Sequence, residues 1–185
     1  MATLKEGQVI LQNVRCGYLK LFKAEANKGV ADSSPRFGLA AYLPKTDVKQ
    51  KAKLDAEIDR LSKLHFKGAK PKSKDLFITD GDGEDGDENT KGFWIVRAAR
   101  NESQGRPQIL NRDRTAILPE DGLVVSGYRY NVLLSIYKPK AWNKICASLE
   151  IVQFVAKDEP FGAGPADPDV MPDLALDDEE GEFEA

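Results

Sequence analysis

Apolar and polar positions alternate along five stretches of the chain, the period-two signature of half-buried strands. Residues 8–21 carry Val9, Leu11 and Val14, with Gly17 allowing a bend near the end. Residues 36–43 place Phe37, Leu39, Ala41 and Leu43 on one face, and Pro44 stops the strand. Residues 93–99 form a third, and residues 122–137 and 142–156 the two strongest. In these last two, Val132, Leu134 and Ile136 alternate with polar neighbours, as do Ala147, Leu149 and Ile151. Between the second and third strands the period changes. Leu54, Ile58 and Leu61 recur at helical spacing in a Lys-, Ala- and Glu-rich segment, which predicts a helix from Thr46 or Asp47 to His65. Residues 23–35 read as a polar loop, 68–74 as a basic loop, 80–88 as a solvated acidic, glycine-rich loop, and 138–141 as the turn between the last two strands. Residues 100–114 read as an exposed basic hairpin arm. Strands with one inserted helix predict a mainly β protein, a small closed or partly closed barrel of the OB type; the pattern alone also fits a sandwich.

Charge divides the chain. All 27 Lys and Arg residues precede Asp158, and 11 of the 30 acidic residues follow residue 157. Residues 1–157 therefore carry 27 bases against 19 acids, a net +8, hidden beneath an overall −3. This predicts a basic folded domain at 1–157 and a flexible acidic tail at 158–185, with residues 161–172 as a Gly-, Ala- and Pro-rich linker. A basic body joined to an acidic tail points to a polyanionic partner and a tail that competes with it. No apolar run approaches the ~18–20 residues of a membrane span. The first eight residues lack a signal-peptide pattern, so a cytoplasmic protein is expected.

Enzyme chemistry finds little footing, and neither catalysis nor a cofactor is expected. Neither a phosphate-binding Gly-x-x-x-x-Gly-Lys-Ser/Thr loop nor a Gly-x-Ser-x-Gly elbow is present. One histidine, His65, and two cysteines, Cys16 and Cys146, do not make a zinc set; the cysteines read as reduced strand residues. The acidic loop fails the calcium-loop spacing, because Asp85 or Asp87 stands where glycine is required. A magnesium nuclease built on residues 80–88 ranks last for the same loop's flexibility.

Bases interleaved with aromatics are the stronger pattern, since cations neutralise phosphates and flat rings stack on bases. Arg15, Tyr18 and Lys20 form one group, Arg36 and Tyr42 a second, and Trp94, Arg97 and Arg100 a third. Arg129 and Tyr130 form a fourth, and Arg106 belongs to the basic arm. The densest run is Tyr137-Lys138-Pro139-Lys140-Ala141-Trp142-Asn143-Lys144. Lys138, Lys140, Trp142 and Lys144 of this run join the residues named before it as the candidate DNA-binding residues, with Trp142 foremost; Phe37, Phe93 and Phe154 are expected in the core. A viral structural or assembly protein and an RNA-binding OB module are the alternatives.

Three stretches resemble a known family. The first is residues 8–44, ending Ala41-Tyr42-Leu43-Pro44-Lys45 before a Lys-rich helix. The second is Asp80-Gly81-Asp82 followed by Lys91-Gly92-Phe93-Trp94-Ile95-Val96-Arg97. The third runs from Ser126-Gly127-Tyr128-Arg129-Tyr130 through residues 147–155 to Glu159-Pro160-Phe161-Gly162. In this order they resemble the phage single-stranded-DNA-binding proteins with an OB-fold, once known only as a domain of unknown function. The resemblance implies sequence-independent single-stranded DNA binding in phage replication or recombination, inside an infected bacterial cell, with no enzymatic activity. It also implies that Asp177, Asp178, Glu179, Glu180 and Phe183 of the tail recruit replication or recombination proteins; a homodimer is compatible with it. Phe183 is not the terminal residue here, the acidic loop is longer than the family's, and residues 143–146 replace an expected glycine.

Overall fold

The computed structural model describes residues 2–27, 29, 33–84, 86–162 and 168–172. Strand β1 (Gln8–Glu25) pairs with β2 (Arg36–Pro44) on one side and β6 (Arg129–Tyr137) on the other, both antiparallel. β2 continues to β4 (Phe93–Asn101), and β6 to β7 (Cys146–Ala156). A parallel bridge from Ala99 to Ser148 joins β4 to β7 and closes the ring β1-β2-β4-β7-β6. This is a mainly β, five-stranded barrel of OB type with one inserted helix. Closure rests on that single bridge. The free edges on either side are covered by short strands, β3 (Ile78–Asp80) against β4 and β5 (Gln108–Leu110) against β7.

β1 is long because it bends. Asn13 and Tyr18 take left-handed backbone angles, φ 53° and 51°, within the register shifts between Leu11 and Val14 and between Gly17 and Lys20. Each bulge lets the strand coil from one part of the wall to the next while returning Val14, Cys16 and Leu21 to the core. Inside, Leu11, Val132, Leu134, Leu149 and Val152 are fully buried. Helix α1 (Val48–His65) packs Leu54, Ile58 and Leu61 into the same core. Its N-cap Asp47 accepts a 3.2 Å hydrogen bond from the Gln50 amide.

The helix and the barrel follow the sequence expectation, and several details differ, among them a last strand that starts at Cys146 rather than at residue 142. β1 extends through Glu25 into the expected loop. β6 begins only at Arg129, because a short 3-10 turn at Pro119–Asp121, left-handed Gly122 and Gly127 (φ 106°) break the extended run. Residues 100–114 are not a free arm: Ile109 is buried and β5 lies parallel to β7. β3, three residues long, is too short to show alternation. Phe37 and Phe154 are buried as expected, whereas Phe93 lies half-buried in a second apolar cluster with Tyr42 and Ile95. Among the described residues, no helix is long and apolar enough to cross a membrane.

Candidate nucleic-acid interface

The β4–β7 seam opens outward into a groove of about 680 Å³. Arg97 and Ala99 of β4 and Cys146 and Ala147 of β7 line its base. The β6–β7 connection gives one wall with Pro139, Trp142 and Lys144; Lys74 to Phe77 give another, and Arg36 and Asn101 stand at one end. Four cations, Arg36, Lys74, Arg97 and Lys144, therefore converge with two rings. Trp142 is 63% and Tyr137 44% exposed, unusual for rings of this size and suited to stacking. The Lys144 ammonium lies 6.0 Å from the Trp142 ring centre. Burial pushes the Tyr137 phenol and the Cys146 thiol up, and the nearby Arg36 guanidinium pulls both the other way. Arg97 spends one nitrogen on the Thr79 hydroxyl at 2.9 Å and is otherwise exposed.

This groove gathers Arg36, Arg97, Trp142 and Lys144 from the sequence candidates. Lys138 and Lys140 sit on the same connection, Lys138 donating to the Pro139 carbonyl at 3.0 Å and Lys140 exposed. It adds Lys74, Tyr137, Asn101 and Gln104, which sequence reasoning did not select. Tyr137 belongs to the aromatic-basic run and was legible there; Lys74 arrives from a separate loop through the Ile145 amide bond to the Asp75 carbonyl.

Other candidates serve elsewhere. Tyr130 is fully buried; its hydroxyl donates to the Leu123 carbonyl at 2.7 Å and accepts from the Val125 amide at 2.9 Å. It is a core residue and cannot stack on a base. Arg100 donates to Glu150 and to the Gln104 and Gly105 carbonyls, each at 2.9 Å, so it fastens the turn after β4. Trp94 packs at the core margin between the ammoniums of Lys45 (4.7 Å) and Lys51 (4.5 Å), beside α1 and away from the groove. Arg106 lies 5.5 Å over Phe22, and Lys20 pairs with Glu25 at 3.6 Å. Tyr18, at the second bulge, is 74% exposed.

Arg15, Arg129 and Tyr42 hold the chain just beyond β7. Arg129 donates to the Asp158 carboxylate at 2.7 Å, and Arg15 Nε lies 3.7 Å from it. Arg15 also donates to the Glu159 carbonyl and packs 4.4 Å over the Phe161 ring. Residues 158–162, placed in the tail and linker by composition, thus form a strap docked on the barrel. Asp177, Asp178, Glu179, Glu180 and Phe183 lie outside the described residues.

The described acidic residues of the loop are exposed, as expected, and several are held by local bonds. The Lys45 ammonium bridges Asp80 (2.5 Å) and Asp82 (2.6 Å), holding both carboxyls below their usual range and its own ammonium above. Thr90 donates to the Gly81 carbonyl at 2.7 Å, and the Asp87 carboxylate accepts the Asn89 amide at 2.8 Å. Among the described residues, no three His, Cys, Asp or Glu side chains cluster as a metal set.

Comparison with known proteins places these features in context. The family model described as the Enterobacter phage Enc34 ssDNA-binding protein matches residues 7–183. The single-stranded DNA-binding protein from bacteriophage Enc34, solved in complex with ssDNA, is 28% identical with a TM-score of 0.71, over 85% of this chain and 91% of that one. A C-terminal truncation of the Enc34 protein is 27% identical with a TM-score of 0.71, over 85% and 90%. The single-stranded DNA-binding protein gp2.5 of bacteriophage T7, 13% identical with a TM-score of 0.52 over 88% and 98%, shares the fold. No curated protein sequence matches.

Proposed function

Since this chain belongs to the family of the phage Enc34 ssDNA-binding protein, we propose that it binds single-stranded DNA through the groove at the β4–β7 seam. The observation that carries this reading is the convergence there of Arg36, Lys74, Arg97 and Lys144 with the exposed rings of Tyr137 and Trp142. The cations take phosphates and release counterions; the rings take bases by their faces, which every base offers. Binding is therefore strong, salt-dependent and nearly indifferent to sequence. Duplex DNA hides its base faces in the stack and gains only the electrostatic part. The protein coats and protects strands during phage DNA replication or recombination in the host cytoplasm.

The acidic segment beyond the strap competes with DNA for the same cations and, once displaced, recruits replication proteins. It follows Gly162 directly in the sequence, so its negative charges are covalently tethered to the basic domain. Titration of the full chain with oligo-dT and with duplex, at low and moderate salt, tests the proposal. Salt-sensitive binding of oligo-dT well ahead of duplex is expected; no binding of oligo-dT at any salt would overturn it. Truncation after Gly162 is expected to tighten binding, most at low salt, where charge competition is least screened.

A further inference from the structure

The strap after β7 makes, within the protein, the two kinds of contact a nucleotide would make. Its Asp158 carboxylate accepts from Arg129 Nε at 2.7 Å, as a phosphate would, and lies 3.7 Å from Arg15 Nε, whose proton goes to the Gly127 carbonyl at 2.9 Å. Its Phe161 ring packs against Tyr42 in a tilted contact, with centroids 4.8 Å apart and planes at 57°, under the Arg15 guanidinium at 4.4 Å. Phe93 meets the same tyrosine edge-on at 6.0 Å. We infer that Arg15, Arg129, Tyr42 and Phe93 form a second nucleotide subsite, which the strap occupies when DNA is absent. The inference rests on the single-stranded DNA reading above.

Position supports it. Tyr42 pairs with Ile95 and Ala40 with Arg97, so Tyr42 stands two residues along the sheet from the groove's Arg97. That separation is about 7 Å at the rise of a strand, so one DNA strand leaving the groove along β2 and β4 reaches Tyr42 directly. Space supports it as well. A cavity of about 420 Å³ lies beside the strap, lined by Arg15, Tyr42, Asn89 and Phe93 together with the strap itself.

The strap is seated but exchangeable. A Cβ on Gly17 would come within 3.2 Å of the Phe161 ring, and one on Gly127 within 2.5 Å of the Glu159 carbonyl, so both glycines clear its path. Its ionic anchors stay accessible, with the Arg15, Arg129 and Asp158 side chains 25%, 37% and 29% exposed. Ion pairs this open to water yield readily to a phosphate that brings more charge and more acceptors. A base replacing Phe161 regains a ring contact with Tyr42.

Amide exchange on the full chain, with and without saturating oligo-dT of about 20 nucleotides, reads the strap directly. The Phe161 amide donates to the Ser126 carbonyl at 2.9 Å, and the Ile136 amide, which donates to the Gly7 carbonyl at 2.8 Å, serves as a reference. DNA is expected to speed exchange at Phe161 and leave Ile136 unchanged. The variant Phe161→Ala, with the competitor gone, is expected to bind oligo-dT roughly 5- to 150-fold more tightly, the range one stacked base carries. Where that variant does not fold, exchange in the unaltered chain decides alone. Bound oligo-dT with Phe161 exchange unchanged or slowed would overturn the inference and leave the groove reading standing. A folded Phe161→Ala chain binding no more tightly would do the same. Failure of the full chain to bind oligo-dT would overturn both.

Discussion

Replacing Trp142 removes the most exposed ring of the groove while leaving the barrel alone. The side chain is 63% exposed on the β6–β7 connection, and its ring lies 6.0 Å from the Lys144 ammonium. Its truncation to alanine therefore changes folding stability by no more than about 0.5 kcal/mol, the usual limit for surface positions. A base stacked on it is worth about 1–3 kcal/mol, so the Kd for oligo-dT rises roughly 5- to 150-fold. Trp94 makes the opposite case. It packs against the core between two ammoniums, at 4.7 and 4.5 Å. Its loss costs about 2–4 kcal/mol of stability and little affinity.

Fluorescence separates the two, because these are the only tryptophans in the chain. Trp94→Phe leaves Trp142 as sole reporter, and oligo-dT is expected to quench it as in the unaltered protein. Trp142→Phe leaves Trp94, and the quench is expected to vanish although binding persists by gel shift. A quench that survives Trp142→Phe and disappears with Trp94→Phe would show that the strand runs past α1 rather than through the groove. Trp142→Ala binding within twofold of the unaltered protein would equally refute the stacking argument.

Three further outcomes follow from the same geometry. Four groove cations contacting four phosphates give a slope of about −3 for log K against log salt on single strands; Lys144→Ala and Arg36→Ala together should bring it to about −1.5, and an unchanged slope in titrations at three salt concentrations would remove both from the interface. Tyr130→Phe deletes a buried hydroxyl that donates at 2.7 Å and accepts at 2.9 Å; urea unfolding should show a loss of about 1–3 kcal/mol with oligo-dT affinity intact, and an affinity loss in the folded variant would return Tyr130 to the DNA site. Asp158 is held below its ordinary value of 3.8 by the Glu159 amide and the Arg129 guanidinium; a lowered carboxyl contributes stability that is complete above that value and is lost as pH falls through its depressed one, so the Tyr42–Phe161 ring contact, followed by nuclear Overhauser effects, should persist to about pH 4 and fade below, and fading near pH 6 would assign the strap's hold to some other group.

How far the sequence carried the argument depends on what kind of signal each residue sends. Leu54, Ile58 and Leu61 announce α1 because helical spacing is local, and Val132, Leu134 and Ile136 announce β6 for the same reason. The end of β6 nearest Gly122 misleads, because a left-handed glycine and a 3-10 turn break a stretch whose composition still looks extended. β3 and β5 leave no periodic trace at three residues each; they exist because β4 and β7 part after one bridge and their edges need partners.

The basic and aromatic residues are harder to sort, since composition reports that a guanidinium or ring is present and not what it has already spent. Arg36 and Arg100 flank the same strand pairing, Arg36 opposite Asn101 and Arg100 opposite Phe37. Yet Arg36 faces the groove, while all three of the Arg100 nitrogens that can donate are committed to Glu150, Gln104 and Gly105. Arg15 and Arg129 look like phosphate ligands by type and act, in this state, on a carboxylate supplied by the chain itself. The same chemistry that makes a residue a good ligand for DNA makes it a good ligand for an acidic strap. A protein that must bind any sequence cannot distinguish the two by base contacts. On the reading proposed above it does so by geometry, with one set of cations open at the seam and the other held by its own acidic strap until a strand arrives.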